Sequence, residues 1–313
     1  MKHIKALLLA TIIALTGTAQ AEFPDRPIKI ILSLPVGSGP DVVVRKVAEQ
    51  LTAKWGQPVI VENKPGGNGV VALEAYKKEP ATGYSLLFSG VGEIITYPII
   101  TRTEDSVASL EPLVPMMRSE MMLITSPNNK TLGDVREAFK KNPSIGSWGI
   151  ASPPHLNGLE LSQHFDTTPI HVPYKDYNQW FIDVSSGQVT WSFATMASAG
   201  KLEKAGKLKF VAITGDKRDP DYPDVPTITE LTGKKVDFKP WVAFYANKAV
   251  PIGIQKKLTE DIIEAVNSKP VVDTLLAMTY KPWKINQPEF QTYFAGQTTL
   301  YKKLINQHKI TVD

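Results

Sequence analysis

Short apolar, β-branched runs alternate along the chain with stretches whose apolar positions recur at helical spacing. The runs predict strands over residues 28–32, 58–62, 84–89, 121–125, 170–172, 189–193, 208–214 and 242–246. Between the first two, Val44, Val47, Ala48 and Leu51 recur at i, i+3, i+4 and i+7, one buried face of a helix. Leu156, Leu159 and Gln163 form a second stripe, and Ile254, Leu258, Ile262 and Val266 a third. Phe290, Tyr293, Phe294, Tyr301 and Leu304 mark an amphipathic helix behind Pro288. This alternation predicts an α/β fold with mainly parallel sheets.

No repeat of fixed period and no low-complexity linker occurs, so punctuation divides the chain. Residues 97–115 read as irregular, and the proline-rich run 219–226 can continue neither a helix nor a central strand. If the chain crosses between lobes at both places, residues 22–100 plus 227–313 form a discontinuous first lobe and 101–226 a second. The first 21 residues stand apart from this scheme. Lys2 and Lys5 precede an apolar run of about ten residues and a small-x-small site at Ala19-Gln20-Ala21, the layout of a secretory signal peptide cleaved after Ala21. Thr16, Gly17, Thr18 and Gln20 interrupt that run before the roughly 18 to 20 apolar residues that a membrane span needs. The expected address is the periplasm.

Composition narrows the chemistry. The 313 residues include no cysteine, which removes disulfides, thiolate metal sites and cysteine nucleophiles. A formal charge of +4, from 35 basic and 31 acidic residues, has no cluster suited to nucleic acid or a membrane surface. The histidines show no metal-ligand spacing, and no dinucleotide or Walker fingerprint is present, so no metal or cofactor is expected.

Two segments invite a ligand. The first strand runs into Ser33-Leu34-Pro35-Val36-Gly37-Ser38-Gly39-Pro40-Asp41 and then a helix, so free amides and the positive end of the helix dipole favour an anion there. The alternative is a plain turn in which Asp41 takes up those amides itself. The same grammar recurs at Ile145-Gly146-Ser147-Trp148-Gly149-Ile150-Ala151-Ser152-Pro153-Pro154-His155, with Ser152 as N-cap and Pro153 as first helical residue. Two such ends facing each other across a cleft would clamp a small carboxylate by amides and hydroxyls. Ser152 and His155 also admit a serine-hydrolase reading, but no G-x-S-x-G elbow exposes the serine. Residues 65–69 read as a tight glycine-rich connection.

The chain resembles the periplasmic solute-binding components of tripartite tricarboxylate transporters, the Bug-type receptors. The matching features, in family order, begin with Phe23-Pro24-Asp25-Arg26-Pro27-Ile28, the Pro-x-Gly-x-Gly-x-Asp loop at 35–41, Val61-Glu62-Asn63-Lys64-Pro65-Gly66 and Thr82-Gly83-Tyr84-Ser85. They continue through the segment 146–156, His171-Val172-Pro173-Tyr174-Lys175, Gly187-Gln188-Val189, Ala205-Gly206-Lys207-Leu208 and Asp224-Val225-Pro226-Thr227. The resemblance implies a two-lobed, non-enzymatic receptor of Venus-flytrap architecture that closes on a di-, tri- or aromatic carboxylate. It would pass that ligand to a large and a small integral membrane subunit, and is expected to work as a monomer; a sensor kinase is the alternative partner. Carried over, the binding residues are Leu34, Pro35, Val36, Gly37, Ser38, Gly39, Pro40 and Asp41, then Ser147, Trp148, Gly149, Ile150, Ala151, Ser152 and His155, with Ser89, Gly90, Ala194 and Thr195. The family usually has an acidic residue at Ala194 and often a histidine near Glu93, and Trp148 stands where a small residue is common. Trp148, with Phe193 and Trp241, would either narrow the pocket with aromatic faces or pack inside the lobes.

Overall fold

The computed structural model describes residues 23–236 and 238–311; the expected signal peptide lies outside them. Eleven strands are assigned in two sheets among the described residues. They are β1 (Ile28–Leu32), β2 (Val59–Asn63), β3 (Ser85–Gly90), β4 (Leu110–Arg118), β5 (Met121–Thr125), β6 (Ser144–Ser147), β7 (Ile170–Pro173), β8 (Trp191–Thr195), β9 (Lys209–Ile213), β10 (Trp241–Asn247) and β11 (Lys281–Pro282). The principal helices are α1 (Gly39–Trp55), α2 (Val70–Lys77), α3 (Leu132–Lys141), α4 (Pro153–Ser162), α5 (Tyr177–Ser186), α6 (Met196–Lys204), α7 (Ile252–Asn267), α8 (Lys269–Ala277) and α9 (Gln287–Gln307).

The first sheet has the order β11-β4-β10-β3-β1-β2 and the second β7-β6-β8-β5-β9. Both are mixed rather than mainly parallel. Strands β1, β2 and β3 are parallel, as are β6, β7 and β8, whereas β10 runs antiparallel to β3 and β4, and β5 antiparallel to β8 and β9. The antiparallel members include the strands that adjoin the passages between the two sheets.

Alternation along each strand sends side chains to two helix layers. Ile28, Ile30 and Leu32 meet Val43, Val44, Val47 and Leu51 of α1 on one face, together with Leu258 and Ile262 of α7 and Leu275 of α8. Ile31, Leu87 and Tyr245 point to the other face, against Leu73 of α2 and Phe290, Tyr301 and Leu304 of α9. The second sheet repeats the plan. Met121 and Leu123 pack on Val135 and Phe139 of α3, while Met122 and Ile124 pack on Trp180 and Val184 of α5. Burying each such large apolar side chain contributes about 1.5–3 kcal/mol. The result is a two-lobed α/β molecule.

The exchange between sheets falls elsewhere than the punctuation suggested. Residues 110–118, expected beyond the boundary at 101, are a strand of the first sheet. Their two prolines obscured this: Pro112 and Pro115 oppose Tyr245 and Ala243 beside register shifts, where a missing N–H is tolerated. On the return, Thr227 still bridges Ile213, and Ile228 and Val236 pack in the second core. The two passages touch between Ser119-Glu120 and Lys239-Pro240. Ser119 N–H donates to Pro240 O at 3.0 Å, and the largely buried Lys239 ammonium meets Glu120 at 2.9 Å.

Candidate ligand-binding site

The first loop leaves β1 and enters α1 under the control of one buried carboxylate. Asp41, 2% exposed, accepts from Gly37 N–H at 2.8 Å, from Asn63 Nδ2 at 2.8 Å and from Arg45 at 3.0 and 3.2 Å. Burial works to raise its pKa, but the bonds from Arg45, Gly37 and Asn63 outweigh it and hold the carboxyl below its ordinary range. Gly37 sits at φ +79°, a turn that glycine adopts without strain. Asn63 also donates to Leu34 O at 3.0 Å, fixing the start of the loop.

Asp41 is therefore an anchor, as the plain-turn alternative held, yet it does not consume the loop's donors. Ser38 N–H goes to Pro35 O and Val42 N–H to Ser38 O, whereas Gly39 and Asp41, in the first helical turn, give their N–H groups to no acceptor among the described residues. Ser38 Oγ is buried without a partner there. Pro40 has no N–H, and Pro35 and Val36 form the exposed rim. A Cβ at Gly39 would lie 2.5 Å from Tyr280 Oη, so this glycine admits the ring onto the backbone. Behind the loop, Ser33 Oγ and Ser89 Oγ are buried and 2.9 Å apart.

The second loop is built around two stacked imidazoles. His155 and His171 have centroids 3.6 Å apart and planes 8° from parallel. His155 Nδ1 accepts from Ala151 N–H at 3.0 Å, which places its proton on Nε2 and holds Ala151 at φ +54°. His171 Nε2 lies 2.7 Å from Ser147 Oγ, and that hydroxyl also donates to Gly149 O at 2.7 Å. The two bonds agree when His171 is the donor. Burial, then His171 and His308, pulls His155 down to about 3, and burial pulls His171 down to about 4. Both rings are neutral near neutral pH.

Ser152 has the extended backbone of an N-cap, but its hydroxyl donates to Gly149 O at 2.6 Å and caps no amide. This departs from the expected capping role, because Pro153 and Pro154 leave the first helical turn short of N–H groups for a hydroxyl to meet. It also separates Ser152 from His155, whose Nδ1 is occupied, so no nucleophile–base pair is formed. Gly149 N–H is taken by Ser147 Oγ and Ala151 N–H by His155, whereas Trp148 and Ile150 donate to no acceptor among the described residues.

The remaining expected residues divide. Gly90 ends β3 and gives its N–H to Glu93 at 3.2 Å. Ala194 is wholly buried in the second core, so its side chain offers nothing to a ligand, and Thr195 accepts from Ser198 N–H as the cap of α6. Phe193 and Trp241 pack inside the two units, at 0% and 2% exposure. Trp148 is half-buried and stacks on Tyr177 at 6.3 Å.

Three residues outside the expected set complete the surroundings: Glu93, Tyr177 and Tyr280. Tyr177 keeps 46% exposure while its ring lies against Trp148, Trp180 and Phe181; burial, then Tyr280 and Glu93, push its phenol up to about 12. It comes from the second unit and they from the first. No sequence spacing links these positions; the Tyr177-x-x-Trp180 helical pair was the one local signal available.

The sequence pattern of tripartite tricarboxylate transporter family receptors matches residues 43–310, and the chain belongs to that family. It is 31% identical over 269 residues to the protein BugT of Bordetella pertussis, covering 83% of this chain and 82% of that one. Among solved structures, it superposes on an R. palustris protein with adipate at a TM-score of 0.79, with 20% identity over 93% of this chain and 99% of that one. MatC of Rhodopseudomonas palustris with bound malate gives a TM-score of 0.74, with 19% identity over 90% of this chain and all of that one. These two likenesses are of fold.

Proposed function

We propose that this chain is a periplasmic receptor, freed of its leader after Ala21, that closes two lobes on a small organic carboxylate. It acts as a monomer and carries the ligand to the large and small integral membrane subunits of a tripartite transporter. The bodies that move are the units built on the two sheets, and they pivot where residues 119–120 and 239–240 pass side by side.

One observation carries the reading: each unit presents a strand–loop–helix turn with unspent backbone donors, Gly39 and Asp41 in one, Trp148 and Ile150 in the other. An anion between them would meet N–H groups and helix dipoles from both sides, and only the closed form supplies both at once. That difference in affinity is what drives closure. The adipate and malate held by two structural neighbours support a carboxylate as the anion. With Ser152 and His155 bonded elsewhere, the role is binding rather than catalysis.

A thermal-shift screen of protein stripped of bound ligand by unfolding and refolding tests this. Aliphatic di- and tricarboxylates and aromatic acids are compared with neutral controls. Ligand at about one hundred times its Kd adds roughly 2.7 kcal/mol of stability. A shift confined to carboxylates is expected, and stabilisation by neutral sugars alone would overturn the assignment.

A further inference from the structure

Glu93 lies at the start of the helical turn that follows β3, partly exposed, with its Oε2 3.2 Å from Gly90 N. No Lys, Arg or His among the described residues bonds it, and burial pushes its pKa up with no neighbouring cation to oppose the shift. Gly69 closes one side: a Cβ there would fall 2.3 Å from Glu93 Cγ. The Tyr245 hydroxyl is buried without a hydrogen-bond partner, and the Glu93 charge reaches that phenol and Tyr177. Glu93 thus stands at the end of β3 with no cation among the described residues bonded to it, while Tyr280 packs on Gly39 and Tyr177 on Trp148, at the two loops whose open donors suit an anion.

We propose that the ligand is zwitterionic, a carboxylate that also carries an amino or quaternary ammonium group, with that cation held by Glu93 and by the rings of Tyr177 and Tyr280. This narrows the carboxylate reading above and rests on it. The carboxylate end takes the amides of the two loops; the ammonium end meets the Glu93 carboxylate and the aromatic faces, the combination that recognises alkylammonium groups. A second carboxylate at the same place would face like charge in a poorly solvated setting. Trp148, stacked on Tyr177, extends the aromatic wall.

Stripped protein is titrated by calorimetry with three matched sets: butyrate, γ-aminobutyrate and succinate; hexanoate, ε-aminohexanoate and adipate; benzoate, p-(aminomethyl)benzoate and terephthalate. In at least one set the amino acid should bind tenfold or more tighter than both companions, and Glu93→Gln should remove at least tenfold of that advantage. An advantage of the amino acid below tenfold over either companion, in every set that binds, overturns the proposal and leaves the carboxylate reading standing. No binding by any member of any set overturns both. The wild-type comparison decides even if the variant does not fold.

Discussion

The imidazole rings of His155 and His171 lie parallel, 3.6 Å apart, each bonded to the backbone or hydroxyl of the loop that leads into α4. Two stacked rings this close tolerate no shared positive charge, and burial reinforces the effect. Their ordinary pKa is about 6.5, and both are lowered in the folded chain. The stability they support is therefore complete above the unfolded value and is lost as pH falls from about 6.5 toward the folded values near 4 and 3. Urea unfolding between neutral and acidic pH should show this fall, and a His171→Phe variant should flatten it. A profile unchanged by that substitution would count against the pair.

Asp41 governs the first loop through Gly37, Arg45 and Asn63. Because Arg45 is partly solvated, Asp41→Ala should cost about 2 kcal/mol, below the 3–5 of a fully buried pair. Since this carboxyl is lowered from its ordinary value near 4, its contribution should be present above that value and fade as pH falls through the folded one. Chemical denaturation of the variant at neutral pH measures the loss; wild-type stability would mean that the loop holds its shape without this anchor.

Gly39 and Tyr280 should behave as one unit. Gly39→Ala forces the ring away, since the new Cβ would lie 2.5 to 3.0 Å from three of its atoms. Tyr280→Ala should relieve that strain, so the double variant is expected to lose about 1 kcal/mol less than the sum of the two single losses. Additive losses in a double-mutant cycle would contradict the contact.

Glu93 should weaken the empty protein. A carboxyl with a raised pKa contributes most when protonated, and the contribution is lost as pH rises through the folded value. Glu93→Gln should therefore melt a few degrees higher than wild type at neutral pH without ligand, the difference shrinking toward acidic pH. A lower melting temperature for the variant would show that the charged group is stabilised in the empty protein.

Much of this was legible in the order of residues. The stripes Val44-Val47-Leu51 and Ile254-Leu258-Ile262 mark the faces that α1 and α7 bury, because a helix displays its core contacts at regular spacing. The two strand–loop–helix turns could be read from Gly37-Ser38-Gly39-Pro40 and Ser152-Pro153 for the same local reason. Strand β4 could not, because Pro112 and Pro115 break the pattern that its neighbour β10 accommodates. Nor could Glu93, Tyr177 and Tyr280, which no single element brings together, or Ala194, whose burial depends on the packing of β8. Local rules place the loops; the chemistry between them depends on long-range contact.

In the function proposed above, both loops hold one carboxylate. Calorimetric titration of the wild type with the acid that gives the largest thermal shift, beside Gly39→Val and Ile150→Pro variants, tests it most directly. One site per chain is expected in the wild type, with at least hundredfold weaker binding in each folded variant. Undiminished binding in both variants would place the ligand elsewhere and contradict it.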